Sequence, residues 1–288
     1  MPDLLTSVDN KPAASHYAVG LFDSGVGGLS VLQHIRQRLP NESLLYFADS
    51  GFAPYGEKSE TEIIERSLII TAFLNEQNIK ALVVACNTAT AAAVATLRQK
   101  YPDLIIVGTE PGLKPAALKS TSKIVGVLAT KSTLQSQKFK LLSEQLSQET
   151  GVQFISQACI GLVNQIEKGE LHSAATLQLV RSYVASLLAQ GADMLVLGCT
   201  HYPFIKHLIK QVLEENAATI NVQIVDNGEA ISKQLQRLLE KNRLLNPDSA
   251  PCTKLIRTWT SGSASSFQHA FSRMLELPDD QLTVTAMT

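Results

Sequence analysis

Short apolar runs recur along this chain with longer amphipathic segments between them. The runs are "AVGLF" (18–22), "LLYF" (44–47), "LVVA" (82–85), "LIIV" (104–107), "KIVGVL" (123–128), "VQFI" (152–155), "MLVL" (194–197) and "VQIV" (222–225). Strands rich in Val, Ile and Leu on both sides belong in parallel sheets covered by helices. One intervening segment, "SETEIIERSLIITAFLNEQN" (59–78), opens on Ser59 and Glu62 at capping-box spacing. It then repeats Ile63, Ile64, Leu68, Phe73 and Leu74 on roughly one face. Such β-α alternation predicts an α/β protein with parallel sheets.

The chain also echoes itself. "AVGLFDSG" near the start returns as "IVGVLATKS" after Lys123, and "ALVVACNTATAAA" returns as "MLVLGCTHYPFI". The echoes lie roughly 110 residues apart, far beyond the 20–50-residue period of a solenoid. Two related α/β halves are the simplest reading; two strands converging on similar composition is the alternative. Open α/β sheets bind ligands beyond the C-terminal ends of their strands. If two such edges face each other, Cys86 and Cys199 reach a shared cleft from opposite sides.

Composition narrows the class of partner. The 288 residues leave room for two modest domains, and with 45% hydrophobic and 18% charged residues the chain reads as soluble and globular. A formal net charge of −1 supplies no bulk field to recruit nucleic acid or an anionic membrane. Residues 1–16 lack the basic and apolar regions of a secretory signal and read as a flexible N-terminal extension. No apolar run reaches the roughly 18 residues of a membrane span. Four cysteines without a CxxC pair suggest reduced thiols and a cytoplasmic location. Toward the end, 243–253 reads as a loop, "KLIRTW" as a last strand and 265–275 as a terminal helix.

Four stretches carry candidate chemistry. Cys86 ends a strand and precedes "NTATAAAVATLRQ", a good helix, so its thiol meets the positive end of a backbone dipole that favours the thiolate. Asn87 and Thr88, with free backbone N–H groups in the turn, suit a carboxylate. A buried structural cysteine is the competing reading of Cys86. Cys199 lies in "LVLGCTHYP", where His201 can poise the thiol or act as an acid and Pro203 suits the first turn of a helix. Zinc ligation by Cys199 and His201 lacks the usual spacing, and a Cys–His hydrolase leaves Cys86 unexplained. "FDSGVGGLSVL" (22–32) is a Gly-rich strand-to-helix turn without the P-loop lysine or the dinucleotide spacing. Asp23 at its tip attracts an ammonium group, or simply caps its own turn. In "ADSGFAPYGEKS" (48–59), Pro54, Tyr55 and Gly56 form a rigid turn whose N–H groups and phenol can hold a second carboxylate, unless it is only a loop.

Assembled, these stretches resemble the glutamate racemases of the cofactor-independent aspartate/glutamate racemase superfamily. The resemblance runs through "GLFDSGVGGLSVL", "PYGEKS", "VACNTATA", "GTEPGLKPA", "VGVLAT", "LGCTHYPF", "VDNGEAIS" and "WTSG", nearly the whole chain from Tyr17. It implies two pseudo-symmetric α/β domains with mostly parallel sheets and the active site in the cleft between them. The implied boundaries are 17–111 with 222–288 for the first domain and 112–221 for the second. Cys86 and Cys199 are implied as the two acid/base residues, assisted by Asp23 and His201 respectively, with Glu167 of "QIEKGE" supporting the second thiol. Asp23, Ser24, Pro54, Tyr55, Gly56, Asn87, Thr88, Thr200 and His201 fall on substrate-binding positions. Ile160 stands where family members usually carry proline, and Cys159 and Cys252 read as structural.

The implied activity is interconversion of L- and D-glutamate, the latter supplied to peptidoglycan synthesis. A racemase for aspartate or another small acid, or a non-catalytic amino-acid-binding relative, is the alternative. Inverting an α-carbon requires a base on one face and a proton donor on the other, and a thiol pKa near 8.5 is tunable for both roles. No pyridoxal lysine accompanies the thiol motifs and no metal signature appears, so neither cofactor nor metal is expected. Glutamate is the expected partner; a homodimer is left open, and neither nucleic acid nor membrane is expected.

Overall fold

The computed structural model describes residues 14–216, 221–247, 256–275 and 282–286. Its strands are β1 (Ala18–Asp23), β2 (Leu44–Ala48), β3 (Ile79–Val84), β4 (Ile105–Gly108), β5 (Ile124–Ala129), β6 (Gln153–Ala158), β7 (Met194–Gly198), β8 (Gln223–Val225), β9 (Ile256–Thr260) and β10 (Leu282–Ala286). They form a six-stranded sheet in the order β10-β9-β2-β1-β3-β4 and a four-stranded sheet in the order β6-β5-β7-β8. Every pairing is parallel.

The internal echo is structural. The order β2-β1-β3-β4 in one sheet matches β6-β5-β7-β8 in the other, so β1 corresponds to β5 and β3 to β7. This equivalence moves one expected boundary. The run at 222–225 was assigned to the first domain, yet β8 pairs with β7 and takes the place in its sheet that β4 takes in the other. The chain returns to the first half only with the helix Gly228–Lys241, which packs on the helix Leu29–Arg38. A short apolar run reveals a strand but not which sheet edge will pair with it.

The central strands are buried on both faces, as their composition predicts. Leu82, Val83 and Val84 of β3 have no solvent exposure. Each such side chain contributes about 1.5–3 kcal/mol, enough to offset roughly 1–2 kcal/mol of backbone ordering per residue. One apolar cluster runs through both halves, joining Leu21, Tyr46 and Val83 to Leu128, Leu197 and Tyr202. The outer faces are covered separately, around Ile63, Ile70 and Leu97 in one half and Phe139 and Leu146 in the other. The Ser59 capping box forms as predicted.

Polar clamps hold the strand ends remote from the thiols. Lys80 and Glu42 form a buried ion pair, Lys80 also donates to the Ser15 carbonyl, and the Asn246 N–H donates to Glu42. Lys80 interrupts the apolar run in the sequence, so β3 begins earlier than its Leu82 start predicted. Ser15 lies in a short 3-10 turn, Ala14–His16, within the expected extension; residues 1–13 lie outside the described residues. Asp193 plays the matching part in the second half, accepting from Ser120, Thr121 and Ser122. Although its burial alone raises a carboxyl pKa, these hydrogen bonds hold Asp193 well below the usual range.

β9 and the helix Ala264–Leu275 match the expected last strand and terminal helix, whereas β10 was missed. Its "LTVTA" alternates apolar and polar residues, the pattern of an edge strand rather than of the buried runs elsewhere. Cys252 and much of the expected 243–253 loop lie outside the described residues. Among the described residues no helix is long and apolar enough to cross a membrane.

Candidate active site

The first half contributes three strand tips. β1 ends on Asp23 and leads through Ser24–Gly28 into the helix Leu29–Arg38. β3 runs through Ala85 to Cys86, the N-cap of the helix Asn87–Lys100. Its sulfur accepts from the Ala89 N–H at 3.4 Å and lies 3.9 Å from Ser24 Oγ. β2 leads into the turn holding Pro54, Tyr55 and Gly56. The second half contributes Cys199, Thr200 and His201 directly after β7, at the tip equivalent to that of Cys86. Glu167 comes from the end of the helix Leu162–Glu167.

The halves interlock at these tips. Cys199 Sγ lies 3.6 Å from His201 Nδ1, and His201 Nε2 lies 2.6 Å from Glu167 Oε1. That carboxylate oxygen also accepts the Val26 N–H of the first half at 2.9 Å. Asp23 accepts from its own turn at Gly25 N (3.1 Å) and from Thr200 Oγ1 across the cleft (3.2 Å). Asp23 therefore caps its own turn, as one reading had it, and also bonds to the second half. Ser30 donates across the cleft toward the Thr200 carbonyl at 2.8 Å.

Two glycines make this approach possible. A Cβ on Gly25 would lie 2.0 Å from Glu167 Oε1, and one on Gly27 would lie 2.3 Å from His201 Nδ1. The Gly-rich turn therefore receives the carboxylate and imidazole of the other half; its glycines leave room for side chains.

The electrostatics differ on the two sides. Burial foremost, then the Asp23 charge, raises the Cys86 thiol, outweighing the Ala89 N–H at the helix start. The dipole expected to favour a thiolate is present, but burial wins in this closed arrangement. Charge on Cys199 also raises Cys86, so the two sulfurs lie within electrostatic reach of each other. His201 goes the other way. Burial alone lowers an imidazole, yet the hydrogen bonds to Cys199 and Glu167 hold His201 well above its ordinary value. Burial raises Asp23, with Glu167 adding to it and His201 opposing. Burial thus favours the protonated thiol at Cys86, while the hydrogen bonds beside Cys199 favour the cationic form of His201. Cys86 and Cys199 are only 5% and 7% exposed, so both thiols are largely shut off from solvent.

The remaining expected residues surround this pair. Asn87 donates to the Thr109 carbonyl, while its Oδ1, buried beside Cys86, has no partner among the described residues. Thr88 Oγ1 meets Thr130 and Thr133 of the second half at 3.0 and 3.2 Å. The Tyr55 phenol, expected to meet a carboxylate of the ligand, instead donates to Asp49 at 2.5 Å. Asp49 is wholly buried and also accepts Arg66 through both oxygens (3.0 and 2.6 Å) and Ser261 at 2.7 Å. Asp49, Thr130 and Thr133 are the residues sequence reasoning missed. The signal for Asp49 was available: it follows β2 as Asp23 closes β1. Asp49→Asn should cost about 2 kcal/mol by weakening charged hydrogen bonds, read as a Tm lowered by several degrees. An unchanged Tm would show that Asp49 is not the anchor of the Tyr55 turn.

Cys159 is buried and a free thiol like Cys86 and Cys199. Burial foremost pushes it up to about 12. The neighbouring Ile160, at the position where proline was usual, is 67% exposed and accepts Tyr183 OH through its carbonyl.

Two parallel α/β halves thus each present a thiol at the same strand tip, and the halves meet at those tips. Residues 25–235 match the model of a family described as Asp/Glu/hydantoin racemase. A glutamate racemase of Ectopseudomonas mendocina is 52% identical over 261 residues, 91% of this chain and 95% of the relative. The crystal structure of a glutamate racemase from Bacillus anthracis superposes with a TM-score of 0.82 at 33% identity, covering 95% of this chain and 98% of that one. Escherichia coli glutamate racemase, solved with L-glutamate and the activator UDP-MurNAc-ala, gives a TM-score of 0.77 at 32% identity over 90% of this chain and 95% of its own. The chain belongs to the Asp/Glu/hydantoin racemase family.

Proposed function

We propose that this protein is an isomerase interconverting L- and D-glutamate by proton transfer between two thiols, Cys86 and Cys199. The observation that carries the reading is the placement of these thiols at equivalent strand tips facing one cleft, each with its own ionisable neighbour. The named activity of the similar racemases supports glutamate as the substrate. Supply of D-glutamate to peptidoglycan synthesis follows from the family, and the free thiols suit a reducing cytoplasm.

Cys199, facing the His201 imidazolium, takes the α-proton of L-glutamate. Cys86 enters protonated and delivers its proton to the opposite face, and the reverse direction exchanges the two roles. Asp23 and Asn87 Oδ1, which has no partner among the described residues, receive the substrate ammonium. Thr88, Thr200 and backbone N–H groups of the Ser24 and Gly56 turns receive the carboxylates. Their dipoles, acting in a cleft closed to water, oppose the charge that builds as the α-proton leaves. Glu167 keeps His201 charged and oriented.

The test is circular dichroism of L-glutamate and of L-aspartate after addition of purified protein without added cofactor. The glutamate signal should decay to zero, with solvent deuterium entering the α-position. Faster decay with aspartate would replace the substrate, and no exchange with any amino acid would favour a binding relative.

A further inference from the structure

A cavity of about 470 Å³ opens between the halves. Pro54, Gly56 and Lys58 line it from the first half, and Thr130, Lys131 and Cys159 from the second. Its inner wall adjoins both candidate catalytic centres. Thr130 shares a three-hydroxyl cluster with Thr88 and Thr133, at 3.0, 3.2 and 2.9 Å, and Thr88 is two residues from Cys86. On the other side, charge on Cys199 raises the Cys159 thiol. The halves meet where a Cβ on Gly56 would lie 3.0 Å from Thr130 Cβ. Gly56 and Thr130, both on the cavity lining, thus pack against each other across the halves.

The cavity is equipped for an anion. Lys58 and Lys131 line it from opposite halves, and neither forms an ion pair with a described carboxylate. Lys58 feels the exposed Glu62, and Glu57 also lines the wall, which leaves one excess positive charge on the lining. Beside the lysines, the Thr130 hydroxyl on the lining can turn to donate to a carboxylate. An amino dicarboxylate carries one net negative charge at neutral pH, so a cationic mouth between low-dielectric walls concentrates it.

We propose that this cavity is the entry vestibule of the site, in which Lys58 and Lys131 capture a carboxylate of the incoming substrate and the Thr88–Thr130–Thr133 hydroxyls form the inner seal. The proposal rests on the racemase reading and adds two recognition residues to it. Neither lysine touches the reacting atoms, so their contribution is to association and not to proton transfer.

The experiment compares Lys58→Gln, Lys131→Gln, the double variant and Glu57→Gln, with L- and D-glutamate, at low ionic strength and at about 1 M salt, where the Debye length shrinks to about 3 Å. Each lysine variant should lose about threefold in kcat/KM at low salt and the double variant about tenfold, with kcat unchanged within twofold. The losses should disappear at high salt, and Glu57→Gln should raise kcat/KM. Unchanged kcat/KM in the double variant at low salt overturns the proposal, as does a loss that salt leaves intact or that falls equally on kcat. Turnover by the unsubstituted enzyme tests the racemase reading separately.

Discussion

Cys86→Ala and Cys199→Ala should each lower glutamate racemisation by at least about 10³-fold in both directions, a loss of about 4 kcal/mol of transition-state stabilisation. The protein should stay folded. Each sulfur occupies a small buried volume at a strand tip, and its loss costs about 1 kcal/mol, little beside the apolar cluster shared by the halves. The two enantiomers have equal free energies, so kcat/KM must fall equally for both. Isotope exchange need not. With Cys86 removed, Cys199 should still wash deuterium into L-glutamate without forming the D-isomer, and Cys199→Ala should leave exchange only into D-glutamate. Circular dichroism and proton NMR read these outcomes. Substantial turnover by either variant would remove that thiol from the mechanism; exchange into the opposite enantiomer would reverse the assignment of faces.

The second large effect concerns a residue with no side chain. Gly27→Ala places a methyl carbon where the His201 ring stands, 2.3 Å from Nδ1, a separation that requires displacement. The ring is buried and held on its far side by Glu167, which is itself held by the Val26 N–H, so the turn and the imidazole must move apart. An error of about 1 Å in a catalytic group costs roughly 10²-fold, and a loss of that size in kcat is expected here. Stability should change little, because opening the cleft relieves the clash without unpacking either sheet. Thermal melts together with steady-state kinetics test this. A Gly27→Ala enzyme with normal kcat would show that His201 is not held where its geometry matters.

Much of the fold could be read from local patterns. Eight strands were visible as short apolar runs, the central ones because burial on both faces leaves them uniformly apolar; β10 was not, because its "LTVTA" alternates. The Ser59 capping box was legible because both partners lie within one helical turn. The candidate site was legible where chemistry concentrates in a strand-to-helix turn: Asp23, Cys86 and Cys199 are chemically conspicuous beside apolar runs. The internal contacts of the Tyr55 phenol were not legible, for the opposite reason. Its partners Asp49, Arg66 and Ser261 come from three separate segments, and no local pattern announces that they converge.

The order of residues was enough to make two like-built α/β halves the simplest reading, with a thiol at the end of a strand in each and polar turns beside it. Periodicity and turn chemistry are local properties, written within a dozen consecutive positions. Only the folded chain decided that β8 joins the second sheet, that Gly25 and Gly27 accept Glu167 and His201, and that burial raises Cys86 while hydrogen bonds raise His201. Those outcomes depend on distances and desolvation between segments remote in sequence, which arise when two surfaces close on each other.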